Sequence, residues 1–218
     1  MASTRVAAAA AIAVLLSACG DGGGPTTVTP ALPTLQTTDF YASVRTDVEQ
    51  FWGSVFRASG ETYTPLTVFR GFETSTQSLC GPVLRDALYC PADRGVYYRI
   101  AFLDSFFSQV GDVAPAFVVA HEIGHHIGFL RGYLKASQSS LFPSYPHVVL
   151  TDTEYELQAD CFGGAWAADA AARDLFETED VANTIATLVA LASYQRVAAF
   201  SAGFTDGVSA CGRDDLLD

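Results

Sequence analysis

Residues 117–128 read Phe-Val-Val-Ala-His-Glu-Ile-Gly-His-His-Ile-Gly, and residues 153–166 read Thr-Glu-Tyr-Glu-Leu-Gln-Ala-Asp-Cys-Phe-Gly-Gly-Ala-Trp. The first stretch holds His121-Glu122-Ile123-Gly124-His125, an HExxH pattern. Pro115 suits a first helical turn, an almost unbroken apolar run follows, and Gly132 suits a stop. The spacing predicts a helix over 115–131, with His121 and His125 one turn apart on one face. Two neutral imidazoles and one carboxylate suit Zn²⁺ and leave a fourth position for water. Bound zinc lowers the pKa of that water to about 7, and Glu122 is placed to take its proton. The plainer reading, a solvated polar helix face, conflicts with the apolar flanks Ala-Phe-Val-Val-Ala and Ile-Gly-Phe-Leu. Three unpaired polar side chains on a buried helix would be costly.

The third donor must come from elsewhere. Thr151 or Asp152 can cap a second helix running through Ala172. On it Glu156 and Asp160 are again i and i+4, so one can ligate while the other orients a ligating histidine. Glu154 points about 160° away from Glu156 on the helical wheel. His126 and His147 are rival donors. His126 faces about 100° away from His125, which suits packing or a hydrogen bond. His147 lies in a Ser- and Pro-containing segment, 136–150, read as a loop, and could face substrate.

The chain has 218 residues and a mass of 23.2 kDa, half of them hydrophobic and 17% charged, enough for a core and against wholesale disorder. Net charge is −12, and eleven of the twelve basic residues are scattered arginines. A nucleic-acid binder needs a positive patch, so that class is excluded as a partner.

Arg5 precedes an apolar run ending at Leu16, shorter than the roughly 20 residues of a spanning helix and suited to a signal-peptide core. Leu16-Ser17-Ala18-Cys19-Gly20 follows and resembles the bacterial lipobox, in which Cys19 is lipidated and becomes the first mature residue. Residues 1–18 are therefore expected to be a lipoprotein signal peptide, and 19–38, rich in Gly, Pro and Thr, a flexible tether. Residues 39–218 are expected to form one domain. The expected location is the bacterial cell envelope, with the chain held to a membrane by its N-terminal lipid. Gly20, rather than Asp, after the cysteine favours the periplasmic side of the outer membrane; the extracellular face is the alternative.

With Cys19 lipidated, four cysteines remain, which in an oxidising compartment suggests two disulfides. Four cysteines allow three pairings. Cys80 and Cys90 flank a short segment containing Gly81-Pro82, so their local bridge is the easiest closure; Cys161–Cys211 is then the second. No close CxxC pair supports a zinc ribbon. Elsewhere the patterns predict a helix over 39–58, strands over 65–72, 87–90 and 95–100, a short helix over 103–109, mostly helix over 179–204 and a frayed tail from Gly212.

Three segments together, Phe117–Gly128, ELQADCFGGAWA from Glu156, and CGPVLRDALYCPADRGVYY from Cys80, resemble the bacterial neutral zinc metallopeptidase family of predicted exported or membrane-anchored peptidases. ELQAD is also similar to the ExxAD motif of gluzincin-type membrane peptidases. The resemblance implies that Glu156 is the third zinc ligand and Asp160 its supporter, with one Zn²⁺ per chain. It implies an α+β fold, a mainly helical zincin-like domain with a small β-sheet and two disulfides. It implies hydrolysis of a peptide or protein substrate, with Glu122 as general base. The active helix is expected to lie below a cleft bordered by strands 87–100. The family's C-terminal HGSxxQR-like segment survives as Gln195-Arg196, preceded by Ser193 and Tyr194. Its His-Gly-Ser positions are Ala190, Leu191 and Ala192. Tyr194 is the residue that could substitute for that histidine; His126, His147 and Tyr155 are further candidates for the oxyanion. The competing reading is a catalytically weak or inactive zinc-binding envelope lipoprotein.

Overall fold

Helix α1 (Thr37–Ala58) opens the described part of the computed structural model, which covers residues 37–177, 180–181, 184–185 and 193–212. These residues fall within one compact unit, Leu35–Asp218. Residues 1–36, with the expected signal peptide, Cys19 and nearly all of the expected tether, lie outside the described residues, as do Ala190, Leu191, Ala192 and residues 213–218. Helix α1 buries Tyr41, Val44, Val48, Trp52 and Phe56, the three-to-four spacing of a single apolar stripe.

Five short strands follow: β1 (Val68–Phe72), β2 (Thr76–Ser78), β3 (Gly81–Val83), β4 (Ala87–Cys90) and β5 (Gly95–Arg99). They make two sheets. The larger has the order β1-β5-β4, with β1 parallel and β4 antiparallel to β5. The smaller is the β2–β3 hairpin, tied to β4 by the Cys80–Cys90 disulfide. Helices α2 (Ile100–Val110) and α3 (Val113–Leu130) come next. Then β6 (Tyr133–Lys135), the four-residue α4 (Ala136–Ser139) and β7 (Val148–Leu150) lead to α5 (Asp152–Ala172). Helix α6 (Tyr194–Asp206) and a 3₁₀ turn (Gly207–Cys211) end the described chain.

The fold is the mainly helical α+β domain with two disulfides that the sequence implies. Three details differ. The first helix begins two residues before Asp39. Segment 136–150 is not all loop, because its last strand, β7, pairs in parallel with β6. The sheet is not one but three small ones among the described residues.

Helix α3 is buried at almost every position from Val113 to Gly128, which explains why it is apolar all round. It packs against α1, α2 and α5. A Cβ at Gly124 would lie 2.8 Å from the Ala159 carbonyl oxygen and 3.0 Å from its Cα, so glycine is what lets the backbones of α3 and α5 meet. Gly203 plays the same part between α6 and α5, where a Cβ would strike the Cys161 carbonyl; the Cys161–Cys211 disulfide staples that contact. At the other end of α5, Trp166 donates to Asp47 of α1 at 2.8 Å, and Arg173 adds two bonds to the same carboxylate.

Candidate metal centre

The close approach at Gly124 sets the HExxH face of α3 against the Glu156 face of α5. Helix α5 starts with a complete capping box, in which the Thr151 hydroxyl accepts from the Glu154 amide and the Glu154 carboxylate accepts from the Thr151 amide. That fixes the N-terminus of α5 and, one turn on, Glu156. Nε2 of His121 lies 3.2 Å from one Glu156 oxygen, and Nε2 of His125 lies 3.8 Å from the other. One donor atom from each of the three residues falls within 4.8 Å of the other two.

The surroundings hold these groups in place. Nδ1 of His121 donates to Asp160 at 2.8 Å, which turns Nε2 toward Glu156 and His125. Asp160 is 1% exposed and is held in turn by Arg196, at 2.6 Å and 2.7 Å to its two oxygens. His125 stacks flat on Tyr155 with ring centres 4.0 Å apart. Its Nδ1 is buried with no hydrogen-bond partner among the described residues.

Electrostatics sharpen the picture. Burial pushes the Glu122 carboxyl up to about 7, with the Glu156 charge adding to it against the attraction of His121. Burial disfavours a charge on His121, but the Asp160 carboxylate outweighs it and raises that imidazole to about 10. Burial and the neighbouring His121 hold His125 well below its ordinary value, in the neutral, coordinating form. Burial also acts on Glu156, but its hydrogen bond to His121, the two histidines and Arg196 keep its carboxyl below the ordinary range. One carboxylate and two converging imidazole nitrogens are a donor set that fits a zinc ion.

Two cavities open onto this cluster, and both are lined by Ala87, Glu122 and Glu156. The larger, about 410 Å³, is walled by Phe102, Phe106 and Phe117, with Arg196 also present. The smaller, about 160 Å³, is polar and includes Arg85, Lys135, Gln138 and Tyr155. Only β4 of the expected strands borders them, because β5 lies inside the sheet.

His126 is fully buried, accepting from the Tyr89 hydroxyl at 2.9 Å and donating to the Thr64 carbonyl at 2.7 Å. Burial brings its pKa down to about 4, so it is a neutral tie between α3, β4 and the segment before β1. His147 is bonded to the Tyr145 carbonyl and lines neither cavity. Tyr194 is 86% exposed and lines neither. Gln195 is exposed next to it, whereas Arg196 reaches the cluster. Tyr155 contributes its ring under His125 and its hydroxyl to Gln138. Sequence reasoning missed Arg85, Lys135, Gln138 and the three phenylalanines. The one available signal was that Lys135 is the sole lysine of the chain.

Comparison with known proteins agrees with this geometry. The family described as "Putative neutral zinc metallopeptidase" matches residues 31–210. The uncharacterized protein YpfJ of Escherichia coli (strain K12) is 34% identical over 148 residues, 65% of this chain and 51% of that protein. The uncharacterized protein Rv2575 of Mycobacterium tuberculosis (strain H37Rv) is 38% identical over 94 residues, 40% of this chain and 31% of that protein. The matched region thus spans about half of YpfJ or less of Rv2575. No solved structure matches the chain.

Proposed function

The chain belongs to the neutral zinc metallopeptidase family, and from that membership we propose that it is a zinc-dependent metallopeptidase. His121, His125 and Glu156 are the proposed ligands of one zinc ion, Asp160 the residue that orients His121, and Glu122 the general base. The observation that carries the reading is the convergence of the three donors beside Glu122, with cavities open to that point.

When bound, zinc lowers the pKa of a coordinated water to about 7 and polarises a carbonyl oxygen. The chain's own residues do the rest. Glu122 accepts the proton of the attacking water and returns it to the departing amine. In the metal-free chain burial raises its carboxyl above the ordinary range, the direction that suits a group which must both take up and give back a proton. The Asp160–Arg196 pair keeps His121 in one tautomer, and the Tyr155 ring holds His125 in one orientation. The aromatic wall of the larger cavity can receive an apolar side chain of a peptide and exclude water around it.

The same proposal places the enzyme at the bacterial cell envelope, anchored by a lipid on Cys19, with the periplasmic side of the outer membrane favoured over the extracellular face. The support is the Leu16–Gly20 sequence behind its apolar run. The reading that keeps zinc but weakens or loses catalysis rests on Ala190, Leu191 and Ala192 in place of the family's His-Gly-Ser. Glu122→Gln separates the two. Loss of chelator-sensitive casein hydrolysis with zinc content unchanged supports the peptidase, and a purified wild-type chain that hydrolyses nothing supports the other.

A further inference from the structure

The two cavities at the cluster differ in charge as well as in size. Arg45, Arg99, Arg173 and Arg196 each pair with a carboxylate, as expected in a chain with twice as many acids as bases. Among the described residues Arg57, Arg70, Arg85, Arg94, Arg131 and Lys135 form no ion pair, and of these six Lys135 and Arg85 line the polar cavity. Lys135 is held there by the β6–β7 pairing and by its ammonium over the Tyr155 ring, 5.1 Å from the centroid. Arg85 stands exposed at the rim.

Among the charged groups that line the two cavities, Lys135 and Arg85 are the cations left without an opposite charge. A divalent ion on the three donors offsets Glu156 and Glu122, and Asp160 offsets Arg196. Gln138, 8% exposed, lines the same cavity, and its Oε1 has no hydrogen-bond partner among the described residues while Nε2 lies 3.2 Å from the Tyr155 hydroxyl. Turned end for end, this amide accepts from Tyr155 and has an N–H left to donate. Its neighbour, walled by Phe102, Phe106 and Phe117, shares Ala87, Glu122 and Glu156 with it. A peptide crossing Glu122 meets an apolar pocket on one side and a cationic one on the other.

We propose that the polar cavity is a subsite for a substrate carboxylate, bound by Lys135 and Arg85 and set beside an apolar subsite for a large side chain. This rests on the peptidase reading and names its substrate class: peptides that carry an aromatic or large aliphatic residue next to a carboxylate. At about 160 Å³ the cavity holds one short acidic side chain or a chain terminus. The carboxylate belongs to an Asp or Glu residue or to the peptide's own C-terminus.

The test is peptide binding to the full zinc-loaded chain carrying Glu122→Gln, read by fluorescence anisotropy so that no turnover is needed. The probes are labelled peptides in which Phe is flanked on either side by Glu or Gln, each with a free or an amidated C-terminus. Peptides with the matching carboxylate should bind at least about tenfold tighter than the amidated Gln peptide. A gain confined to internal Glu identifies a side chain, and a gain confined to the free terminus identifies the C-terminus. Lys135→Gln should bring the ratio to within about threefold, Lys135→Glu should favour a Lys-containing peptide instead, and Arg85→Gln, at the exposed rim, should lower the ratio in part. Equal affinities, no binding, or a carboxylate preference untouched by all three substitutions overturns the proposal. Failure of the peptidase reading is seen separately, as absence of chelator-sensitive hydrolysis by the wild-type chain.

Discussion

Asp160 sits 2.8 Å from Nδ1 of His121, one helical turn beyond the Glu156 carboxylate that faces Nε2 of the same ring. A single helix, α5, thus addresses both nitrogens of one imidazole. Asp160→Asn should keep the shape but remove the charge that fixes the His121 tautomer, and it leaves Arg196 without its carboxylate. Zinc affinity should fall by about 10- to 100-fold, measured by competition with a chromophoric chelator. An unchanged affinity would mean that Asp160 does not position His121.

Metal binding should release protons. In the metal-free chain His121 is raised to about 10, so it is an imidazolium at neutral pH. Its charge stabilises the metal-free fold fully below about 6.5, the unfolded value, and that contribution fades as pH rises through 10. Coordination needs the neutral ring. Zinc affinity should therefore rise about tenfold per pH unit from 7 toward 10, with at least about one proton released per ion. Calorimetry in buffers of different ionisation enthalpy reads the proton count directly, and a count of zero would contradict this.

Gly124 is the crossing point of α3 and α5. Gly124→Ala should push the helices apart, costing about 1–3 kcal/mol of stability and weakening zinc binding with it. Thermal unfolding together with chelator competition checks both. Because the clash is with backbone, not a flexible side chain, neighbours cannot absorb it by changing rotamer.

Asp47 ties α1 to α5 through Trp166 and Arg173. Burial opposes its charge, but those donors prevail and hold its pKa below 3.8. The stabilisation is present above that unfolded value and is lost as pH falls through the lower folded one. Asp47→Asn should cost about 1–2 kcal/mol at pH 7, moderated by the partly exposed setting. The difference from wild type should shrink below pH 3.8, read by denaturant unfolding across pH.

Much of the centre was legible because its chemistry is periodic. His121, His125, Glu156 and Asp160 announce themselves by one-turn spacing on two helices, and the short segment with Gly81-Pro82 between Cys80 and Cys90 makes the local cysteine bridge readable. The partner of each long-range contact was not, since spacing along one helix says nothing of where the next one crosses. Arg196 was visible only through the family resemblance, and its bond to Asp160 depends on the α5–α6 approach at Gly203. Strand β7 was hidden because Val148–Leu150 is three residues long and pairs in parallel with a distant β6. Lys135, Phe102 and Phe106 carry no motif; only the packed fold brings them to Glu122.

The most direct test is the zinc content of the purified chain by elemental analysis, with wild type and Glu156→Ala measured side by side. About one zinc per wild-type chain, lost in Glu156→Ala while the protein stays folded, is the expected result. No zinc in folded wild type, or zinc retained in full by Glu156→Ala, would contradict the His121, His125 and Glu156 centre.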